Sequence, residues 1–211
     1  MTISVNYAAS QGSTTIAQYL VDWTAGFQTA GHGYSNTGGF SSGGRNMNGD
    51  QYATHGSNGS DYAFIADSNT TNGLHYVFTP GVPASSNMNH YLWGNLDNVQ
   101  LGEVLGGGSG HDFSLDNYVV AFNGLDLSAA QGAGRAGNVV QDVIYGLMQG
   151  NTANLETVLN NLLDDYGLST ASTFDALAAK GLGHATAESF ATADVALVGV
   201  QDVGQDWALA A

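Results

Sequence analysis

Two side chains in the stretch Leu74–Gly94, LHYVFTPGVPASSNMNHYLWG, are able to carry chemistry together. Tyr76 closes a strand-like run, and His90 opens the next one after a loop of Pro, Gly, Ser and Asn. A phenol and an imidazole joined in this way can form a metal ligand with its hydrogen-bonding support. They can equally be two ordinary strand residues, a half-buried aromatic and a surface imidazole. His75 alternates with Tyr76 along the strand, so the two cannot face one site. A third imidazole, His32, lies between Gly31 and Gly33 in a stretch, residues 31–50, that holds seven glycines. Glycine there leaves the backbone free to project the ring, and a loop of that length in a compact domain is usually functional or disordered.

Other chemistries lack their spacing. The six histidines show no H-x-x-x-H or H-E-x-x-H pattern, and no G-x-S-x-G elbow is present. The absence of cysteine removes disulfides, thiolate catalysis and Cys-based metal sites. Residues 107–115, GGSGHDFSL, fit one turn of a calcium-binding β-roll. That architecture needs stacked copies, and Ser114 stands where a large apolar residue is required. A glycine-rich hairpin turn is the better reading.

The elements that must position these residues follow from periodicity. Residues 3–7 form a short strand, and Ser13 or Thr14 is expected to cap a helix whose apolar face is Ile16, Tyr19, Leu20, Trp23 and Phe27. From residue 51 to about 127, short aromatic and β-branched runs alternate with turns, which predicts an antiparallel sheet. After Gly132 the period turns helical. Val139, Val140, Val143, Ile144, Leu147 and Met148 form one stripe; Leu155, Val158, Leu159, Leu162, Leu163 and Tyr166 form a second. A shorter helix follows in STFDALAAKG. Strands and then helices in blocks define the α+β class.

Composition narrows the partners. In 211 residues there are 18 acidic and 3 basic side chains, a formal net charge of −15. Such a surface repels phosphate backbones and anionic lipid heads, so neither nucleic acid nor membrane insertion is expected. The N-terminal segment lacks a basic, apolar signal-peptide pattern, and no run of 18 apolar residues is present.

In its motifs the chain resembles the secreted haemophores of the HasA type from Gram-negative bacteria. The likeness rests on SVNY, I-x-x-YL-x-x-W, GGF then QYA, L-x-Y-x-F and H-x-L-x-G-x-LD. Later segments are VIYGLM-x-G, LE-x-x-LN-x-LLDDYGLS-x-x-STFD-x-LAA and a final LAA, spanning nearly the whole length. The resemblance implies a curved antiparallel β-sheet packed on one side by α-helices, with ferric haem b held between two loops. By the same resemblance His32 and Tyr76 are the axial ligands of the iron, and His90 supports Tyr76. Tyr34, Phe40, Val77, Phe78, Val82 and Met88 are the expected walls. It further implies a secreted carrier, not an enzyme, that takes haem from host haemoproteins such as haemoglobin and passes it to a TonB-dependent outer-membrane receptor. Export by an ABC-type (type I) system would read the C-terminus, with residues 1–183 as the haem-binding domain and 184–211 as a weakly structured tail. Two points depart from the family pattern: a long connection between Tyr76 and His90, and Gln141 where relatives carry another histidine. The alternative class is a secreted calcium-binding structural or adhesive protein.

Overall fold

The computed structural model describes residues 2–29, 38–43 and 47–187. Strand β1 (Ser4–Ala8) leads through a short 3-10 turn into helix α1 (Ile16–Gly26). The cap of α1 is Thr15 and not Ser13 or Thr14. Thr15 is the extended residue whose side chain can turn back to accept from Gln18 N, at 3.1 Å. The stripe Ile16, Tyr19, Leu20 and Trp23 is buried as its spacing requires.

The described parts of the glycine-rich segment after α1 include regular structure that its composition does not suggest. It contains β2 (Gly38–Phe40) and β3 (Asn48–Gly49). Glycine and asparagine have no preference for strands, so these two owe their form to neighbouring edges. β2 pairs with β4 (Gln51–His55), and β3 pairs with β6 (Leu74–Val77). β5 (Tyr62–Asp67) follows β4, and two 16-residue strands, β7 (Tyr91–Gly106) and β8 (Ser114–Ala129), form the central hairpin. Next come α2 (Val139–Met148), α3 (Ala153–Asp164), α4 (Phe174–Ala179) and a last strand, β9 (Gly183–Thr186).

The strands make one sheet in the order β2-β4-β5-β7-β8-β1-β9, with β6 also against β7 and β3 on β6. Among the described strands, only β1 and β9 run parallel. β9 shows that the boundary expected near residue 184 falls inside a strand, because β1 offers it an open edge. β7 is long enough to serve two partners: Tyr91–Gly94 pair with β6, and Asn98–Glu103 with β5. Its register against β8 shifts at Leu96/Asn98 and at Leu101/Glu103, and such bulges add twist and curve the sheet. The GGSGHD stretch is the turn of this hairpin, closed by Gly108 N–His111 O at 3.1 Å and His111 N–Gly108 O at 3.2 Å. Glycines at positive φ are therefore spent on a turn, which removes the motif that favoured a calcium-roll protein.

One apolar cluster joins all four helices to one face of the sheet, including Val5, Tyr7, Phe64, Leu92, Val99, Val120 and Phe122. The large aromatics of α1 keep their polar ends satisfied inside it: Tyr19 Oη donates to Leu101 O at 2.8 Å, and Trp23 Nε1 to Ala63 O at 3.2 Å. No helix among the described residues is long and apolar enough to cross a membrane.

Gly94 marks a close approach between β7 and the residue just before β6. It lies at φ +114, and a Cβ there would overlap the Gly73 carbonyl oxygen. Gly94→Ala is expected to lower unfolding free energy by about 2 kcal/mol or more, measured by urea denaturation. A second expectation concerns the acidic face of the sheet. Burial, and then Asp112 and Asp97, raise the Asp67 carboxyl above its usual range despite hydrogen bonds from Gln51 and Asn98. A raised folded-state value means that ionisation costs stability as pH climbs through it. Asp67→Asn should therefore raise Tm at pH 7, with the gain fading toward pH 4.

Candidate functional site

Tyr76 and His90 are brought into contact. Tyr76 Oη lies 2.6 Å from His90 Nδ1. With the phenol protonated, its hydroxyl donates and the imidazole keeps its own proton on Nε2. Burial pushes the Tyr76 phenol above its ordinary value of 10, and the Arg135 guanidinium pulls it partly back. The pair is thus a neutral phenol with a proton acceptor already in place.

The long connection between them is held back by one side chain. Asn89 is fully buried. Its Oδ1 accepts from Thr79 N at 2.8 Å and from His90 N at 3.1 Å, while Nδ2 donates to Val82 O at 2.9 Å and Thr79 O at 3.4 Å. The clasp ties the end of the loop to its beginning, just beyond β6. His90 then takes φ +55, a left-handed conformation that histidine tolerates better than most residues. This angle turns the ring back over Tyr76. The Phe78 ring centroid stands 5.1 Å from that of His90, and Phe78 itself is exposed.

Behind the pair opens a cleft of about 580 Å³, within the usual range for small-molecule sites. Its described lining includes Tyr52, Leu92 and Met148 as apolar wall, with Tyr76, His90 and Arg135 as polar groups. Tyr52 Oη donates to Met148 Sδ at 3.5 Å, joining β4 to α2 across the cleft floor. Helix α2 is anchored by polar groups as well as apolar ones. Leu92 N donates to Gln141 Oε1 at 2.7 Å, and Leu92 O accepts from Asn138 Nδ2 at 2.8 Å. These two side chains satisfy the backbone of β7 where β8 has not yet begun to pair with it. Gln141 therefore has a structural task of its own.

The expected walls are distributed differently. Phe40 is buried in the core, its ring 5.2 Å from Tyr52 in an edge contact, because β2 folds it inward against β4. Val77 follows Tyr76 on the strand and so takes the opposite face. Val82 gives its carbonyl to the Asn89 clasp, and Met88 is exposed. None of these four, nor Phe78, is among the residues lining the cleft. His32 and Tyr34 lie outside the described residues. His75 points away from Tyr76, as alternation requires, and stacks on Trp93 at 3.9 Å. The cleft-facing flank of α2 was missed by reading walls from loops. Its only sequence signal is Asp142 and Tyr145, three apart beside the apolar stripe, with Tyr145 left exposed.

A phenol oxygen supported by an imidazole at a largely apolar cleft has the features of a ligand-binding site in this mixed α+β fold. The comparisons with known proteins are specific. A family model described as Heme-binding protein A (HasA) matches residues 1–211. The chain is 41% identical over 193 residues to the Hemophore HasA of Serratia marcescens, covering 88% of this chain and 96% of the relative. Among solved structures, the holo hemophore HasA of Yersinia pestis aligns with TM-score 0.66 at 22% identity, covering 88% of this chain and 99% of that one. An apo form from the same organism aligns with TM-score 0.67 at 23% identity, covering 90% and 99%. The chain belongs to the HasA heme-binding protein family.

Asn89→Ala should strand Thr79 N and Val82 O inside the loop and cost roughly 2–3 kcal/mol. It should also release the His90 ring, read as loss of the Tyr76–His90 hydrogen bond in the NMR spectrum of the ligand-free protein. Retention of that bond would show that strand pairing alone positions His90.

Proposed function

We propose that this chain is an extracellular haem carrier, which captures ferric haem b and gives it up to an outer-membrane receptor. The observation that carries the reading is the Tyr76–His90 hydrogen bond at the mouth of the apolar cleft. Family membership supports it, as does the hemophore description of the relative from Serratia marcescens.

The residues fit this ligand. Haem is a flat apolar ring with a hard ferric centre, and the cleft offers an apolar wall beside the one phenol that is hydrogen-bonded to an imidazole. Tyr76 is the proposed axial ligand. Its proton has to leave when the oxygen meets the metal, and His90 Nδ1 is already placed to receive it. His90 in turn raises the phenolate character of the ligand, a support that commonly changes affinity by 10- to 100-fold. His32 is proposed for the opposite face of the ring. Two protein ligands leave no exchangeable position on the iron, which suits carriage and not turnover. The chain is accordingly proposed to be no enzyme.

Secretion through an ABC-type exporter, haemoproteins such as haemoglobin as the source, and a TonB-dependent receptor as the recipient complete the proposal. The acidic surface is compatible with an extracellular life free of nucleic acid and lipid contacts.

The test is a titration of the purified chain with ferric haem, followed by absorption. A one-to-one complex with a shifted Soret band is expected, and absence of a shift would reject the carrier. Tyr76→Ala should weaken binding by roughly a hundredfold, more than His90→Ala at roughly tenfold. Equal affinity in Tyr76→Ala and the wild type would remove Tyr76 from the site.

A further inference from the structure

Arg135 is not proposed as an iron ligand, yet it lines the cleft together with Tyr76 and His90. It is one of only three Lys or Arg side chains in a chain of net charge −15. Of the other two, Arg45 lies outside the described residues, and Lys180 caps the C-terminus of α4. Among the described residues Arg135 is the one guanidinium, and it stands at the cleft of a strongly acidic protein.

Its setting is rigid. The Arg135 backbone N donates to Asn87 Oδ1 and to Asn87 O, each at 3.0 Å, and Ala136 N donates to the same Oδ1 at 2.7 Å. Gly134, at φ +72, lets Asn87 approach the backbone closely. The side chain is partly buried, and Nη2 donates to Ser86 O at 2.7 Å. One anchored nitrogen restrains the guanidinium beside Ser86. The remaining N–H groups keep their directional fork, the geometry that suits a carboxylate. Among the described residues, no carboxylate pairs with it. Asp142 also lines the cleft, and burial raises its carboxyl above the usual range.

We infer that Arg135 is a carboxylate anchor: it binds an acidic substituent on the rim of the flat ligand whose metal meets Tyr76. This rests on the haem-carrier reading and deepens it, because it makes the cleft selective for ring systems that bear free carboxylates. The anchor also fixes how the ring lies, with its acidic edge toward the Ser86–Arg135 junction. The long Tyr76–His90 connection then has a second task, since Ser86 and Asn87 hold the arginine in place.

The experiment compares ferric haem with ferric haem dimethyl ester, which keeps the metal and ring but loses both carboxylate charges. Each is titrated into the wild type and into Arg135→Gln, with thermal unfolding as a check on folding. The wild type should bind haem about tenfold or more tightly than the ester. Arg135→Gln should lose that preference by weakening haem while leaving the ester unchanged. Equal weakening of both ligands would assign Arg135 to holding the loop or to its field on the Tyr76 phenol, and overturn the inference. Equal wild-type affinity for haem and ester would overturn it as well. Failure of the wild type to bind either ligand would instead sink the carrier reading on which the inference stands.

Discussion

The hydrogen bond between Tyr76 Oη and His90 Nδ1 is the contact on which the site depends, and most of the surrounding structure serves to make it. The two residues are fourteen apart, and the loop between them would by itself hold His90 nowhere in particular. Two devices remove that freedom. Strand pairing sets Tyr76 opposite Leu92, so that both side chains face the cleft. The Asn89 clasp then closes the loop and sets the left-handed turn that brings the imidazole back. A buried amide with all its groups in use gives the loop one conformation instead of many.

The cleft itself exists because β7 is shared. Its first residues pair with β6 but lie beyond the reach of β8, which leaves Leu92 with backbone groups to satisfy. Asn138 and Gln141 satisfy them from the start of α2, and so dock that helix at the edge of the site. Helix position, cleft wall and strand register are thus set by the same few hydrogen bonds. Close approach at Gly94 lets β6 lie near enough for the arrangement to close.

Much of this was legible in the sequence. The stripes of α1, α2 and α3 and the aromatic strands from Gln51 onward announced an α+β domain, because burial of one face imposes a period that local composition cannot hide. Tyr76 and His90 could be picked out by type, but type and spacing alone fit two ordinary strand residues as well, and only the resemblance along the whole chain points them at iron. What escaped depended on partners distant in the chain. Gly38–Phe40 and Asn48–Gly49 are strands only because β4 and β6 offer edges, and Gly183–Thr186 only because β1 does. Asn89 carries no periodic signal at all. Phe40 looked like a loop aromatic until β2 turned it into the core, and the cleft-facing flank of α2 was masked by the stronger stripe beside it.

The central claim is that the oxygen of Tyr76 holds ferric iron. Resonance Raman spectroscopy of the ferric haem complex tests it most directly, using protein grown with ring-deuterated tyrosine. The account predicts enhanced tyrosinate modes that shift on deuteration and vanish in Tyr76→Phe. A complex without tyrosinate modes, carrying the signature of nitrogen ligands alone, would contradict it.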